Sequence, residues 1–81
     1  MKQEYMTKGV CARRIDFEVE NGIIKSVQFI GGCSGNTQGV AALAVGRTPD
    51  EVIAVLKGIR CGAKPTSCPD QLALALEAAK A

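Results

Sequence analysis

Four cysteines, Cys11, Cys33, Cys61 and Cys68, and no histidine in 81 residues restrict the chemistry open to this chain. Without imidazole there is no ring-nitrogen ligand, no imidazole base and no ordinary pH switch, so metal or redox chemistry falls to sulfur. Stretches of 21, 27 and 6 residues separate the thiols, and none forms the Cys-x-x-Cys knuckle that makes a zinc site readable from spacing. Position is more telling. Cys33 stands in a glycine-rich turn, Cys61 precedes Gly62, and Cys68 precedes Pro69 where a helix is expected to open. The partial positive charge of a helix N-terminus favours thiolate, the form that ligates and attacks, which makes Cys68 the strongest single candidate. The alternative is four small buried hydrophobes. Loop placement and the lack of apolar flanks favour metal or redox use.

A second constellation is the run from Gly31 to Gly39, GGCSGNTQG. Between a strand and a helix such a turn can aim backbone N–H groups at an anion, which makes Gly32, Ser34, Gly35 and Asn36 candidate cofactor-binding residues. The run has neither the Gly-Lys-Ser/Thr ending of a phosphate loop nor Gly-x-Gly-x-x-Gly spacing. Glycines that let the backbone turn tightly around Cys33 explain it equally well. Glu18, Glu20, Asp50, Glu51 and Asp70 read as solvated strand and first-turn helix charges, and no catalytic residue is assigned.

These residues must be positioned by one small domain, residues 1–81, near the size at which a fold needs a staple or a partner. No basic, apolar and small-residue leader and no run of about 18 apolar residues occurs, so the expectation is a cytoplasmic protein with no membrane segment. Thiols in that reducing compartment are free, metal-bound or redox-active rather than permanently bridged. A net charge of +2 with scattered cations, and aromatics limited to Tyr5, Phe17 and Phe29, argue against nucleic-acid binding.

Residues 14–30 read as a β-hairpin: Ile15, Phe17 and Val19 alternate with acidic residues before Asn21-Gly22 turns the chain. A two-residue type I′ turn would pair Val19 with Ile24; a three-residue loop would pair Val19 with Ile23. The hydrophobic pattern prefers the second, which groups Ile15, Phe17 and Val19 with Ile23, Val27 and Phe29. A further strand is expected around residues 4–10, with Gly9 as a bend. An alanine-rich helix follows at 37–45, stopped by Gly46. Thr48 caps a second helix with Pro49 at its first position and Glu51 closing a capping box; its apolar stripe is Val52, Val55, Leu56 and Ile59. The third helix is read with Cys68 as N-cap and Pro69 at N1. Leu72, Ala75, Leu76 and Ala79, widened by Leu74 and Ala78, face the core, and Gln71, Glu77 and Lys80 face solvent. A core role for this helix is preferred over self-association. Strands followed by helices imply an α+β fold, an antiparallel sheet of about three strands with three helices packed on one face.

The run Thr66-Ser67-Cys68-Pro69-Asp70-Gln71-Leu72-Ala73, with Arg60-Cys61-Gly62 and Gly31-Gly32-Cys33-Ser34-Gly35-Asn36 before it, resembles the TSCPD domain in its small stand-alone, four-cysteine form. Related domains lie toward the C-terminus of adenosylcobalamin-dependent ribonucleotide reductases. The resemblance implies metal or redox thiols at Cys11, Cys33, Cys61 and Cys68. It also implies association with ribonucleoside-diphosphate reduction, including nucleotide binding. Departure from the full reductase is large: 81 residues provide no barrel to enclose a nucleotide, a cobalamin and a radical. A second similarity is to iron–sulfur cluster scaffold proteins, through Asn21-Gly22-Ile23-Ile24, Gly32-Cys33, the helix start from Gly46 to Glu51, and Cys68. It implies a shared α+β plan with Cys33 and Cys68 at one end of the sheet.

The resulting expectation is a small accessory or binding module, not a complete reductase, with Zn²⁺ held by Cys11, Cys33, Cys61 and Cys68. Its expected partners are a ribonucleotide reductase or other protein, or a second copy of the chain. The alternatives are an iron–sulfur cluster carrier using the same thiols, and a thiol redox protein in which Cys68 attacks and Cys61 or Cys33 resolves.

Overall fold

A computed structural model describes residues 2–10, 12–31, 34–60 and 62–80, without the side chains of Ser34 and Lys80. Cys11, Gly32, Cys33 and Cys61 therefore lie outside the described residues. Three strands, β1 (Lys2–Met6), β2 (Ala12–Glu20) and β3 (Ile23–Gly31), precede three helices, α1 (Ser34–Ala44), α2 (Pro49–Leu56) and α3 (Cys68–Lys80). The sheet is antiparallel in the order β1-β2-β3. This is the expected α+β architecture, although the first strand lies earlier than residues 4–10. Gly9 does form a bend, at φ +72°.

The hairpin takes the first register at its tip and neither of the two expected registers beyond it. Asn21 and Gly22 carry positive φ, 54° and 77°, as a two-residue type I′ turn requires, and Val19 faces Ile24. The expected three-residue loop is thus incorrect. Glu18 nevertheless faces Ser26, so Lys25 is an extra residue on β3, a β-bulge. Beyond it Phe17 faces Val27 and Ile15 faces Phe29, pairs that neither simple register contains, and Val27 and Phe29 return to the face of Ile15 and Phe17, the grouping that motivated the longer loop. Tight-turn geometry governs the tip and burial governs the rest; Ile24 takes the core place expected of Ile23.

All three helices cover one face of the sheet. Ile15 and Phe17 of β2 and Ile24 of β3 pack with Ala44 of α1, Val52 of α2, and Leu72, Ala75 and Leu76 of α3. The opposite face carries Glu4, Asp16 and Gln28 in register. There Arg14 forks onto Asp16 with Nε at 2.8 Å and Nη2 at 3.1 Å. The free edge of β3 is tied to the α1–α2 loop, Ile24 N–H donating to the Arg47 carbonyl and Gly46 N–H to the Ile24 carbonyl, each at 2.9 Å. That contact blunts a strand edge otherwise open to pairing.

Helix boundaries depart from expectation in two places. α1 begins at Ser34 rather than residue 37, so Ser34, Gly35 and Asn36 form its first turn. α2 ends at Leu56; it buries Val52 and half-buries Ile53 and Leu56, while Val55, expected on the core stripe, is 68% exposed. Eight residues span little more than two turns, and packing on α3 selects which apolar residues are covered. α3 is the central core helix, fully burying Leu72, Ala73 and Leu76. No described helix is long and apolar enough to cross a membrane.

Candidate metal centre

The start of α3 is a network of side chains. Ser67, not Cys68, is the N-cap: its Oγ accepts from Asp70 N–H at 3.2 Å and its carbonyl from Gln71 N–H at 2.8 Å. A hydroxyl oxygen is a better acceptor than a thiol, so serine takes the cap and Cys68 moves to the first helical position, with Pro69 second. The Cys68 thiol, half-buried and unbridged, is left outside the capping arrangement.

Neighbouring polar groups hold this helix start against both preceding loops. Ser67 Oγ donates to the Ile59 carbonyl at 2.6 Å. The Asp70 carboxylate accepts from Gly58 N–H at 2.6 Å and from the Thr66 hydroxyl. Gln71 donates through Nε2 to Thr66 Oγ1 at 3.0 Å and accepts through Oε1 from Lys8 N–H at 3.1 Å. Asp70 is 7% exposed and Gln71 4%, so both depart from the solvated roles expected of them. Burial is tolerated because each finds partners; no described buried side-chain N or O atom is left unsatisfied. The signal that could have found them was the density of hydrogen-bonding residues, Thr66, Ser67, Asp70 and Gln71, heading an otherwise apolar helix.

Cys68 faces a cleft of about 210 Å³. Val40, Ile59 and Pro69 supply apolar walls, Asn36 and Thr37 come from the first turns of α1, and Val10 comes from the β1–β2 loop. Arg60 and Lys64 bring two cations, neither engaged in an ion pair among the described residues. Val10 is the chain neighbour of Cys11, Arg60 that of Cys61, and α1 is the helix that follows Cys33. One cleft therefore combines Cys68 with the segments adjoining each of the other three cysteines.

Of the candidate metal ligands, Cys68 is the one within the described residues. Among those residues no three Cys, Asp or Glu side chains gather as a metal-binding group. Of the candidate anion-binding residues, Gly35 and Asn36 are exposed in the first turn of α1, Ser34 begins that helix, and Gly32 lies outside the described residues. Sequence reasoning missed the approach of Arg60 and Lys64 to Cys68, which depends on how the α2–α3 loop folds back.

The TSCPD domain model matches residues 1–80, and the chain belongs to that family. Comparison with curated proteins and with solved structures found no match. The similarity to iron–sulfur cluster scaffolds thus rests on the short motifs alone.

Proposed function

We propose that this TSCPD domain is an accessory module that holds one Zn²⁺ through Cys11, Cys33, Cys61 and Cys68, and that it serves ribonucleotide reduction as the partner of a larger reductase. The observation carrying the metal reading is the cleft at Cys68, lined by Val10, Arg60 and the first turns of α1. Val10 and Arg60, the chain neighbours of Cys11 and Cys61 in the sequence, both line that cleft, which supports the reading.

The donor set fits the ion. Four thiolates and no imidazole suit a tetrahedral site with Zn–S distances of about 2.3 Å. Four thiolates around a dication leave a formal double negative charge. Arg60 and Lys64, lining the same cleft, oppose it. Bound there, Zn²⁺ supplies a cross-link between segments far apart in sequence, the staple that a domain of this size lacks. Thr66, Ser67, Asp70 and Gln71 position Cys68 by fixing the helix start and both loops. The association with ribonucleotide reduction is supported by the TSCPD motif run, and this chain contributes no catalytic residue of its own.

Metal analysis of anaerobically purified protein, with its absorption spectrum, is the test. One colourless zinc per chain is expected, falling well below stoichiometry in Cys68→Ser. Brown protein with iron and sulfide would replace the zinc reading by a cluster carrier, and metal-free reversible thiols by a redox protein. Co-sedimentation with an adenosylcobalamin-dependent reductase tests the partnership separately; its absence would leave a metal module without that role.

A further inference from the structure

Two of the most exposed large apolar side chains among the described residues face each other across α1 and α2, while Met6, also exposed, stands apart at the end of β1. Leu43 is 69% exposed and Val55 68%. They flank a groove between the two helices whose floor includes Val40, Ala44, Val52 and Leu56. Its two charged lining residues are Arg47 and Glu51, one of each sign. Arg47 is anchored by Nε donating to the Leu43 carbonyl at 2.8 Å. The Glu51 carboxylate accepts from the Thr48 backbone N–H at 2.9 Å, which fixes its position at the groove rim.

An isologous dimer needs one patch that carries both halves of every complementary pair. This groove does: a protruding leucine and valine beside an apolar trough, and a cation beside an anion. We infer that the α1–α2 groove is a self-association surface, in which two copies meet about a two-fold axis, each Leu43 entering the partner copy's trough and each Arg47 approaching the opposite Glu51. A stable interface takes about 800 Å² from each partner, roughly a sixth of the 4843 Å² that this chain exposes. The inference does not depend on the metal reading.

Sedimentation equilibrium of the full chain, with amide NMR shifts followed from about 10 µM to about 1 mM, tests it over the range in which small interfaces associate. The expected result is a monomer–dimer equilibrium with concentration-dependent shifts on α1 and α2. Leu43→Glu should weaken the dimer at least about tenfold, since it places a charge in an apolar trough. Arg47→Gln should weaken it with a reduced salt dependence. Both sites are exposed, so the variants should remain folded, which the dispersion of their amide spectra checks. A monomer throughout that range would overturn the inference and leave the groove to another protein. A dimer unaffected by Leu43→Glu, or with shifts confined to the open sheet face, would also overturn it.

Discussion

Gln71 on the last helix accepts a hydrogen bond through Oε1 from the backbone N–H of Lys8, in the first loop, at 3.1 Å. The bond spans 63 residues of sequence and ties the loop that leads to Cys11 to the helix that opens with Cys68. Gln71 is 4% exposed at its end of this bond, so replacing its amide with an apolar side chain forfeits both this bond and the one that Nε2 donates to Thr66.

Gln71→Leu should therefore destabilise the protein by about 1–3 kcal/mol although it adds an apolar side chain to a buried site. Urea denaturation gives the magnitude, and hydrogen exchange should show faster exchange at Lys8. A stability equal to the parent would mean that the loop is held by other contacts.

At the head of α2, Thr48 Oγ1 accepts from Glu51 N–H at 3.2 Å and the Glu51 carboxylate accepts in turn from Thr48 N–H. Thr48→Ala should cost about 1 kcal/mol in a denaturation experiment. The bonds from the Thr48 backbone and hydroxyl hold the Glu51 carboxyl below its ordinary value of 4.5. A depressed folded-state value means that this contribution is complete above the ordinary carboxylate value. It is lost as the pH falls from there through the lower folded-state value. Glu51→Gln should flatten the acid limb of stability against pH in that window, and an unchanged acid limb would contradict the linkage.

Gly22 sits at φ +77° with nothing within 4 Å of an added Cβ. The cost of Gly22→Ala is then conformational rather than steric crowding, about 1 kcal/mol, and Gly22→Asn should cost less because asparagine tolerates the left-handed region. Melting temperatures of the two variants should rank in that order.

For the proposed metal centre, Arg60→Gln combined with Lys64→Gln should shift metal release on acidification to higher pH. Removing cations from the cleft makes thiolate formation harder, and protons compete with metal for sulfur. A titration monitored with a chromogenic zinc indicator measures the shift. An unshifted release profile would remove the charge-balance argument for these residues.

Legible in the residues alone were the order of elements, the capping box at Thr48 and the core positions Leu72, Ala75 and Leu76 of α3, because those depend on residues within one turn or one hairpin of each other. The hydrophobic pattern also grouped Ile15, Phe17, Val27 and Phe29 on one face, but did not contain the facing pairs Ile15–Phe29 and Phe17–Val27, which a tight turn and the Lys25 bulge together produce. Only tertiary structure decided that Gln71 and Asp70 are buried, that Val55 is left exposed, and that Ser67 rather than Cys68 caps the last helix. Partners such as Lys8 and Gly58, which lie 63 and 12 residues from the side chains that accept from them, have no local signature. The grouping of Cys68 with Val10, Asn36 and Arg60 in one cleft is of the same kind. Local chemistry fixes which segments can become helix or strand, whereas the choice of neighbours for each polar side chain is made by packing, where burying a group without a partner costs more than most local preferences can offset.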